Sequence, residues 1–121
     1  MFFFSSNNSG QKRDLALLHA SLLIIKANPN PTQFVKLGQD AFIRTLSGGL
    51  SRSNPLFTQK AENMSDLEMA SILRNLSNFD KRSIAQTLSA AFYETGRSPE
   101  SKNVLIDIAY ECDIPLNYFR I

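Results

Sequence analysis

Residues 15–27 read LALLHASLLIIKA and are followed at once by Asn28-Pro29-Asn30-Pro31. Leucine and isoleucine recur at helical spacing and also fill positions in between, so the helix is apolar on nearly every side, as central helices are. The two prolines remove backbone donors and bias the residues before them toward extended geometry. The stretch therefore predicts a buried helix over residues 11–27, a turn, and a second helix that starts at residue 31 or 32.

A second stretch repeats this layout about 66 residues later, a lag too long and in too few copies for a solenoid. Residues 84–94 read IAQTLSAAFYE, residues 95–99 form the break TGRSP, and an amphipathic helix follows up to Cys112. A chain of 121 residues is long enough for one domain. We predict a single compact all-α domain of about five to seven helices over residues 11–121, built from two pseudo-repeated helical hairpins. Residues 1–10 are expected to be a terminal segment that packs on it or frays.

The second helix carries apolar residues at helical spacing and meets two glycines. Gly48-Gly49 is expected to end it, since glycine favours the position after a helix. Its predicted inward residues are Phe34, Leu37, Ala41 and Phe42. After the last helix, a proline-led turn is expected to pack back on the domain through Leu116, Tyr118 and Phe119.

Helix-start signals mark three more helices. Ser65 and Glu68 form a capping box, in which the serine and the glutamate satisfy each other's backbone donors. Asn78 and Asp80 are expected to cap the next helix, and Ser98, followed by proline, starts the last one. No run alternates apolar and polar residues over the length of a strand. A short helix is also expected near residues 57–62, after a polar segment.

The charge of the chain is nearly balanced. Thirteen basic and eleven acidic residues give a net charge of +2, and the basic residues are scattered along the chain. A DNA-binding domain usually gathers them on one face, so nucleic acid is the less favoured partner. As an alternative function, a small helical nucleic-acid-binding protein would use Lys12, Arg13, Arg74, Lys81 and Arg82.

The first residues and the cysteine content bear on the location of the protein. No run of about 18 apolar residues exists that could span a membrane as a helix. The single cysteine excludes an internal disulfide and agrees with a reducing, cytoplasmic compartment. A further alternative is a peripheral membrane-surface protein anchored by Phe2–Phe4, although three aromatic residues need a second signal for stable attachment.

No catalytic constellation is visible in the sequence. His19 is the single histidine and falls on the buried first helix, which favours a hydrogen-bonded core histidine over a catalytic base. Cys112 follows Ile108 and Ala109 on an apolar face, where a small buried side chain is expected rather than a reactive thiol. Catalysis needs a convergent base, nucleophile or metal, so we predict that the protein is not an enzyme.

The two turns resemble those of the TerB-like family, the domain of tellurite-resistance TerB proteins that also begins some membrane-anchored co-chaperones. Each turn in that family tends to read Lys-Ala-Asp-Gly, then a small apolar residue, Ser or Thr, and a glutamate. Residues 26–33 here read KANPNPTQ and residues 93–100 read YETGRSPE. The residues that match in kind are Lys26, Ala27, Thr32, Gly96, Ser98, Pro99 and Glu100. The likeness covers most of residues 14–115, including the ending IAYECDIP at residues 108–115.

The resemblance implies metal ligands in the turns, but this chain departs from the pattern there. Asn28 and Thr95 stand where the family has aspartates. Glu100, with Glu94 nearby, remains as the anionic candidate, and two carboxylates fall short of the six to eight oxygens that calcium takes. We therefore predict that the protein carries no stoichiometric divalent metal, gains little stability from calcium, magnesium or zinc, and has no cofactor.

The function implied by the resemblance is a non-catalytic cytoplasmic module that binds a protein partner or a second copy of itself, in a stress response or an envelope-associated complex. No small-molecule substrate is evident. The expected contact surface is the segment of residues 48–64 together with exposed residues beside the two turns. Its candidate residues are Asn28, Asn30, Arg52, Lys60 and Arg97.

Overall fold

Six α-helices, one 3₁₀ turn and no strand make up the part of the chain that the computed structural model describes, residues 8–50 and 56–121. The helices are α1 (Asn8–Lys26), α2 (Gln33–Leu50), α3 (Phe57–Asn63), α4 (Asp66–Arg74), α5 (Asn78–Tyr93) and α6 (Pro99–Glu111), and the 3₁₀ turn is Leu116–Tyr118. The all-α class and the expected number of helices are confirmed. The duplication of a hairpin stays a prediction.

Helix α1 is the centre of the domain, because it contacts each of the five other helices. Leu18 and Ile24 on this helix are completely buried and Leu15 and Leu23 are half-buried, so most of its apolar surface is covered, as its sequence predicts. The helix begins at Asn8, ahead of the predicted residue 11, and the predicted domain boundary therefore falls inside it. The rest of the predicted terminal segment, residues 1–7, lies outside the described residues.

Serine side chains start three of the helices. Ser65 accepts a hydrogen bond from the backbone N–H of Glu68, and Ser98 accepts one from Ser101, both at 3.0 Å. These two caps are confirmed. The predicted cap of α5 is wrong by one residue, since Ser77 rather than Asn78 accepts from the N–H of Asp80. The local sequence offers adjacent residues that can all cap a helix, and the serine takes the extended backbone conformation that the capping position requires.

Helix α2 is rotated relative to the prediction. Phe34 and Leu37 are 86% and 63% exposed and Ala41 is also exposed, so these inward assignments are wrong. The inward assignment of Phe42 is confirmed, and it packs on the core together with Ile43, Leu46 and Leu50. The physical reason is that α2 carries two apolar stripes and only one can face the rest of the domain. The helix also continues through Gly48-Gly49 to Leu50.

The two hairpin turns lie together at one end of the domain. The side-chain amide of Asn28 donates to the carbonyl oxygen of Thr95 at 2.9 Å, and the hydroxyl of Ser101 donates to the carbonyl oxygen of Ile24 at 2.7 Å. Gly96 has a φ of +70° and Arg97 a φ of +59°, so the second turn reverses through the left-handed region. Glycine adopts that region without strain. The two turns are thus joined by direct hydrogen bonds.

The C-terminal turn covers the far end of the core only in part. Phe119 is buried and Tyr118 is half-buried, as predicted, but Leu116 is 52% exposed, so its inward assignment is wrong. Leu116 instead stands beside α6 and lines a groove on the surface.

Candidate interaction surface

A groove runs between α4 and α6. Its volume is about 370 Å³. Apolar side chains from three helices form its floor: Leu23, Met69, Ala70, Val104 and Ile108. Met69 and Ala70 face it from the buried side of α4, which begins after the Ser65 cap, and Ile108 faces it from the buried stripe of α6. The groove is therefore an apolar trough between two well-anchored helices.

A second groove, of about 790 Å³, follows the other side of α6. The C-terminal turn supplies its outer wall through Pro115 and Leu116, and α6 supplies Ile106 and Tyr110. Asp107 and Glu111 line both grooves, so they form the ridge between them. We call the two grooves and this ridge the α6 face.

Three large apolar side chains on the α6 face point into solvent. Leu67 is 83% exposed, Tyr110 is 85% exposed, and Leu116 is 52% exposed. Single exposed apolar residues are ordinary on protein surfaces. These three are distinct because each of them lines one of the two adjoining apolar grooves. Apolar surface of that kind, rimmed by polar groups, is typical of interaction sites.

The charges around the α6 face are mostly negative. Four carboxylates line the two grooves: Asp66, Asp107, Glu111 and Asp113. Arg74 is the one basic residue among the described residues that line the grooves. Its Nε and Nη2 both donate to the backbone carbonyl oxygen of Glu111, at 3.0 and 2.7 Å. The guanidinium therefore serves to hold the end of α6 against α4.

The end of α6 is fixed by a second cation from inside the domain. Asp113 has a φ of +54°, and the N–H of the following Ile114 reaches back to the carbonyl oxygen of Ala109 at 2.8 Å, as in a Schellman turn. Lys81 on α5 is buried, and its Nζ donates to the carbonyl oxygen of Asp113 at 2.9 Å. The side-chain carboxylate of Asp113 is 85% exposed and only 4.0 Å from that ammonium.

His19 is a buried structural residue, as predicted. Its Nδ1 lies 2.8 Å from the carbonyl oxygen of Ala61, and its Nε2 lies 2.7 Å from Oδ1 of Asp66. Both neighbours are hydrogen-bond acceptors, so both ring nitrogens are committed within the fold. A general base needs a ring nitrogen within reach of a substrate proton, and neither nitrogen of His19 offers one. The imidazole instead joins α1 to α3 and α4.

The thiol of Cys112 is also buried, as expected. Burial raises the pKa of this thiol from 9.0 to about 11, with a smaller opposing effect of Arg74. The Sγ lies 3.9 Å from the sulfur of Met69. Because the thiolate is the reactive form of cysteine, a thiol held protonated in the core does not act as a nucleophile near neutral pH.

The interaction residues predicted from sequence have separate surroundings where the structure describes them. Asn28 is half-buried by its bond to Thr95, whereas Asn30 is exposed. Arg97 stacks its guanidinium over the ring of Tyr93 at 4.6 Å. Lys60 is exposed on α3, and Arg52 lies outside the described residues. The structure joins the two turns but does not gather these residues into a groove.

The two carboxylates retained as metal candidates have separate surroundings. The Oε1 of Glu94 lies beside Gly38 of α2, 3.0 Å from where a Cβ at that position would stand. Glu100 is exposed in the first turn of α6 and accepts from the hydroxyl of Ser98 at 3.3 Å. Within residues 8–50 and 56–121, no three histidine, cysteine or acidic side chains are grouped so as to hold a metal ion.

The basic residues considered for nucleic acid are mostly engaged within the domain. Lys81 is buried, Arg74 binds the end of α6, and Arg82 stacks over the ring of Tyr118 at 4.1 Å. Arg13 forms an ion pair with Asp14 at 3.4 Å, and Lys12 is exposed. They do not form one exposed basic face. The proposed membrane anchor Phe2–Phe4 lies outside the described residues, and no helix among the described ones is long and apolar enough to cross a bilayer.

Comparison of the chain with protein-family models, with curated proteins and with solved structures gave no match. Sequence reasoning did not find the α6 face, because Leu67 lies 43 residues before Tyr110 and nothing in the sequence brings the two together. One signal was present: Leu67 and Tyr110 do not belong to the buried stripes of α4 and α6 and stand among polar neighbours.

Proposed function

We propose that this chain is a non-catalytic protein-interaction module of the TerB-like kind, and that it binds its partner through the α6 face. The observation that carries the proposal is the placement of exposed Leu67, Tyr110 and Leu116 beside two apolar grooves. Burying them against a partner would remove apolar surface from water, which is the main driving force for association.

The chemistry of the other candidate groups supports a role without catalysis. Both nitrogens of His19 are engaged in hydrogen bonds, and the Cys112 thiol is held protonated in the core. The TerB-like resemblance adds a cytoplasmic setting in a stress response or an envelope-associated complex to the proposal. That part rests on the two turn sequences alone.

Affinity capture from the native host tests the proposal. The bait is the full chain, compared with the double variant Leu67→Ser/Tyr110→Ser. Phe34→Ser is the matched control, because Phe34 is an equally exposed aromatic side chain on α2. We expect a specific protein to be retained by the wild type and the control and lost with the double variant.

A second bait separates the α6 face from the turn surface predicted by sequence. The variant Lys60→Glu/Arg97→Glu changes two exposed cations near the turns. Loss of the captured protein with this variant, and its retention with Leu67→Ser/Tyr110→Ser, would move the interaction to the turns. Failure of the wild type to retain any protein above an empty column would contradict the proposed function.

A further inference from the structure

We infer that the α6 face binds a basic amphipathic helix, an inference that rests on the proposed function and names the class of partner. The first support is charge. The chain as a whole has a net charge of +2, yet the two grooves are lined by four carboxylates against one arginine. The acidic character of this face is therefore a local property that the composition of the chain does not produce.

The acids of the α6 face are open to a partner, and its two neighbouring cations are engaged in hydrogen bonds within the domain. Asp107 and Glu111 are exposed on the ridge, and the side chain of Asp113 is 85% exposed. Arg74 is held by the carbonyl oxygen of Glu111, and Lys81 is buried behind Asp113. Asp66 has one oxygen bonded to His19. Arg74 is itself exposed, but exposed carboxylates outnumber it on this face, and opposite charges on a partner would favour both its approach and its orientation.

The form of the ligand follows from what α6 can offer. The described part of the chain has no strand, so no open sheet edge exists there to pair with an extended peptide. Recognition must come from side chains, and a helical ligand satisfies its own backbone groups. The 13 residues of α6 span about 20 Å, the length of a ligand helix of about 14 residues.

The pattern expected in the ligand follows from the groove between α4 and α6. Its floor is apolar and its ridge is acidic, so a helix lying along it would place leucine-like residues at i, i+3, i+4 and i+7 on the floor. Lysine or arginine on the flanks of that stripe would face Asp107 and Glu111. A bound helix would also cover Leu67 on the far wall of the groove.

The test uses a fluorescent synthetic peptide of about 14 residues with a leucine stripe and lysine flanks, titrated with the full chain. A matched peptide carries glutamate in place of every lysine. We expect the lysine peptide to bind at least about tenfold more tightly than the glutamate peptide, and to weaken on going from about 50 to about 300 mM salt because exposed charges are screened.

Protein variants locate the binding site. Asp107→Lys/Glu111→Lys should lower the affinity for the lysine peptide about tenfold or more. Leu67→Ser/Tyr110→Ser should lower it to a similar extent. Asp40→Lys/Glu100→Lys makes the same change in net charge with acids that are exposed elsewhere on the domain. This control variant should bind the lysine peptide almost as tightly as the wild type, apart from a small loss of long-range attraction. Thermal melts of each variant identify any that fail to fold, and for these Asp107→Asn/Glu111→Gln and Tyr110→Ser provide milder replacements.

Four results would overturn the inference. Equal affinity for the lysine and glutamate peptides would show that charge does not select the ligand. Equal loss of affinity for the lysine peptide in the two charge-reversal variants would show that the attraction comes from the net charge of the domain and not from the α6 face. A dimer that dissociates in Leu67→Ser/Tyr110→Ser would assign the α6 face to a second copy of the chain. If no peptide binds but the captured host protein is still lost with that variant, the inference fails while the proposed function stands.

Discussion

The side-chain amide of Asn28 donates a hydrogen bond to the carbonyl oxygen of Thr95, 67 residues away, at 2.9 Å. The same side chain accepts from the backbone N–H of Asn30 at 3.2 Å through its oxygen. Asn28 therefore shapes its own turn and fastens that turn to the one between α5 and α6. In the resembled family an aspartate stands here, and a carboxylate could not donate to a carbonyl oxygen.

Replacing Asn28 should weaken the domain. Asn28→Ala removes both bonds and is expected to lower the free energy of unfolding by about 1–2 kcal/mol, since one hydrogen bond usually contributes about 1 kcal/mol and the bond to Asn30 is exposed. Asn28→Asp should cost at least as much, because it places a second acceptor against the carbonyl of Thr95. Urea denaturation measures both. Asn30→Ala, at an exposed neighbour, is the control, and an equal loss there would contradict the role of the Thr95 contact.

The hydrogen bond between His19 and Asp66 should stabilise the domain beyond the general benefit of an acidic residue at the start of a helix. Asp66 and Glu68 are both acidic residues in the first turn of α4, but only Asp66 contacts His19. Asp66→Asn is therefore expected to cost about 1 kcal/mol more than Glu68→Gln. Chemical denaturation of the two variants measures the difference.

A double-mutant cycle separates the contact from other effects. In a His19→Gln background the extra cost of Asp66→Asn should disappear, because the partner ring is gone. The same cost in both backgrounds would show that Asp66 acts through the helix terminus alone.

The buried thiol should make stability depend on alkaline pH. The folded pKa of Cys112 is raised from 9.0 to about 11, so the folded state holds its proton longer than the unfolded state does. Its contribution is thus fully present below about pH 9 and is lost as the pH rises toward about 11. The stability of the wild type should fall more steeply over this range than that of Cys112→Ala, measured by urea denaturation at each pH.

The reactivity of the thiol gives an independent measurement. At pH 8 an alkylating reagent should modify Cys112 slowly in the native protein and rapidly in urea, because the thiolate is scarce and covered. Rapid modification of the folded protein would contradict the buried environment.

Gln39 is a buried polar residue on α2 whose Nε2 has no hydrogen-bond partner among the described residues. An unpaired buried donor costs about 1–3 kcal/mol. Gln39→Met has a similar shape and no donor, and we expect it to raise the free energy of unfolding by about 1 kcal/mol. Gln86→Met, on the exposed side of α5, is the matched control. A loss of stability in Gln39→Met would show that the amide is paired in solution.

The sequence predicted the features that depend on short-range patterns. An apolar run with no polar side indicated that α1 is central, and Ser65 and Ser98 were identified as caps because a cap needs only residues within one turn. The rotation of α2 was missed, since choosing between the stripe of Phe34 and Leu37 and the stripe of Ile43 and Leu46 requires knowing which neighbour each would meet.

The position of Lys81 shows why the candidate site was also missed. A lysine in the first turns of an amphipathic helix ordinarily lies in solvent, and its burial here is compensated by the carbonyl oxygen of Asp113 in a left-handed turn. That carbonyl comes from a segment 32 residues further along the chain. The exposed apolar residues of the α6 face depend on the same long-range arrangement of α4, α6 and the C-terminal turn.

The central position of α1 has a consequence for synthesis on the ribosome. Ser101, which binds the carbonyl oxygen of Ile24, is made 77 residues later, a delay of about 4–15 s at about 5–20 residues per second. During that interval the central helix of the domain has been made, but α5 and α6 are not yet available to cover it. The apolar surface of α1 in the nascent chain is therefore open to chaperones until the C-terminal third of the chain has been made.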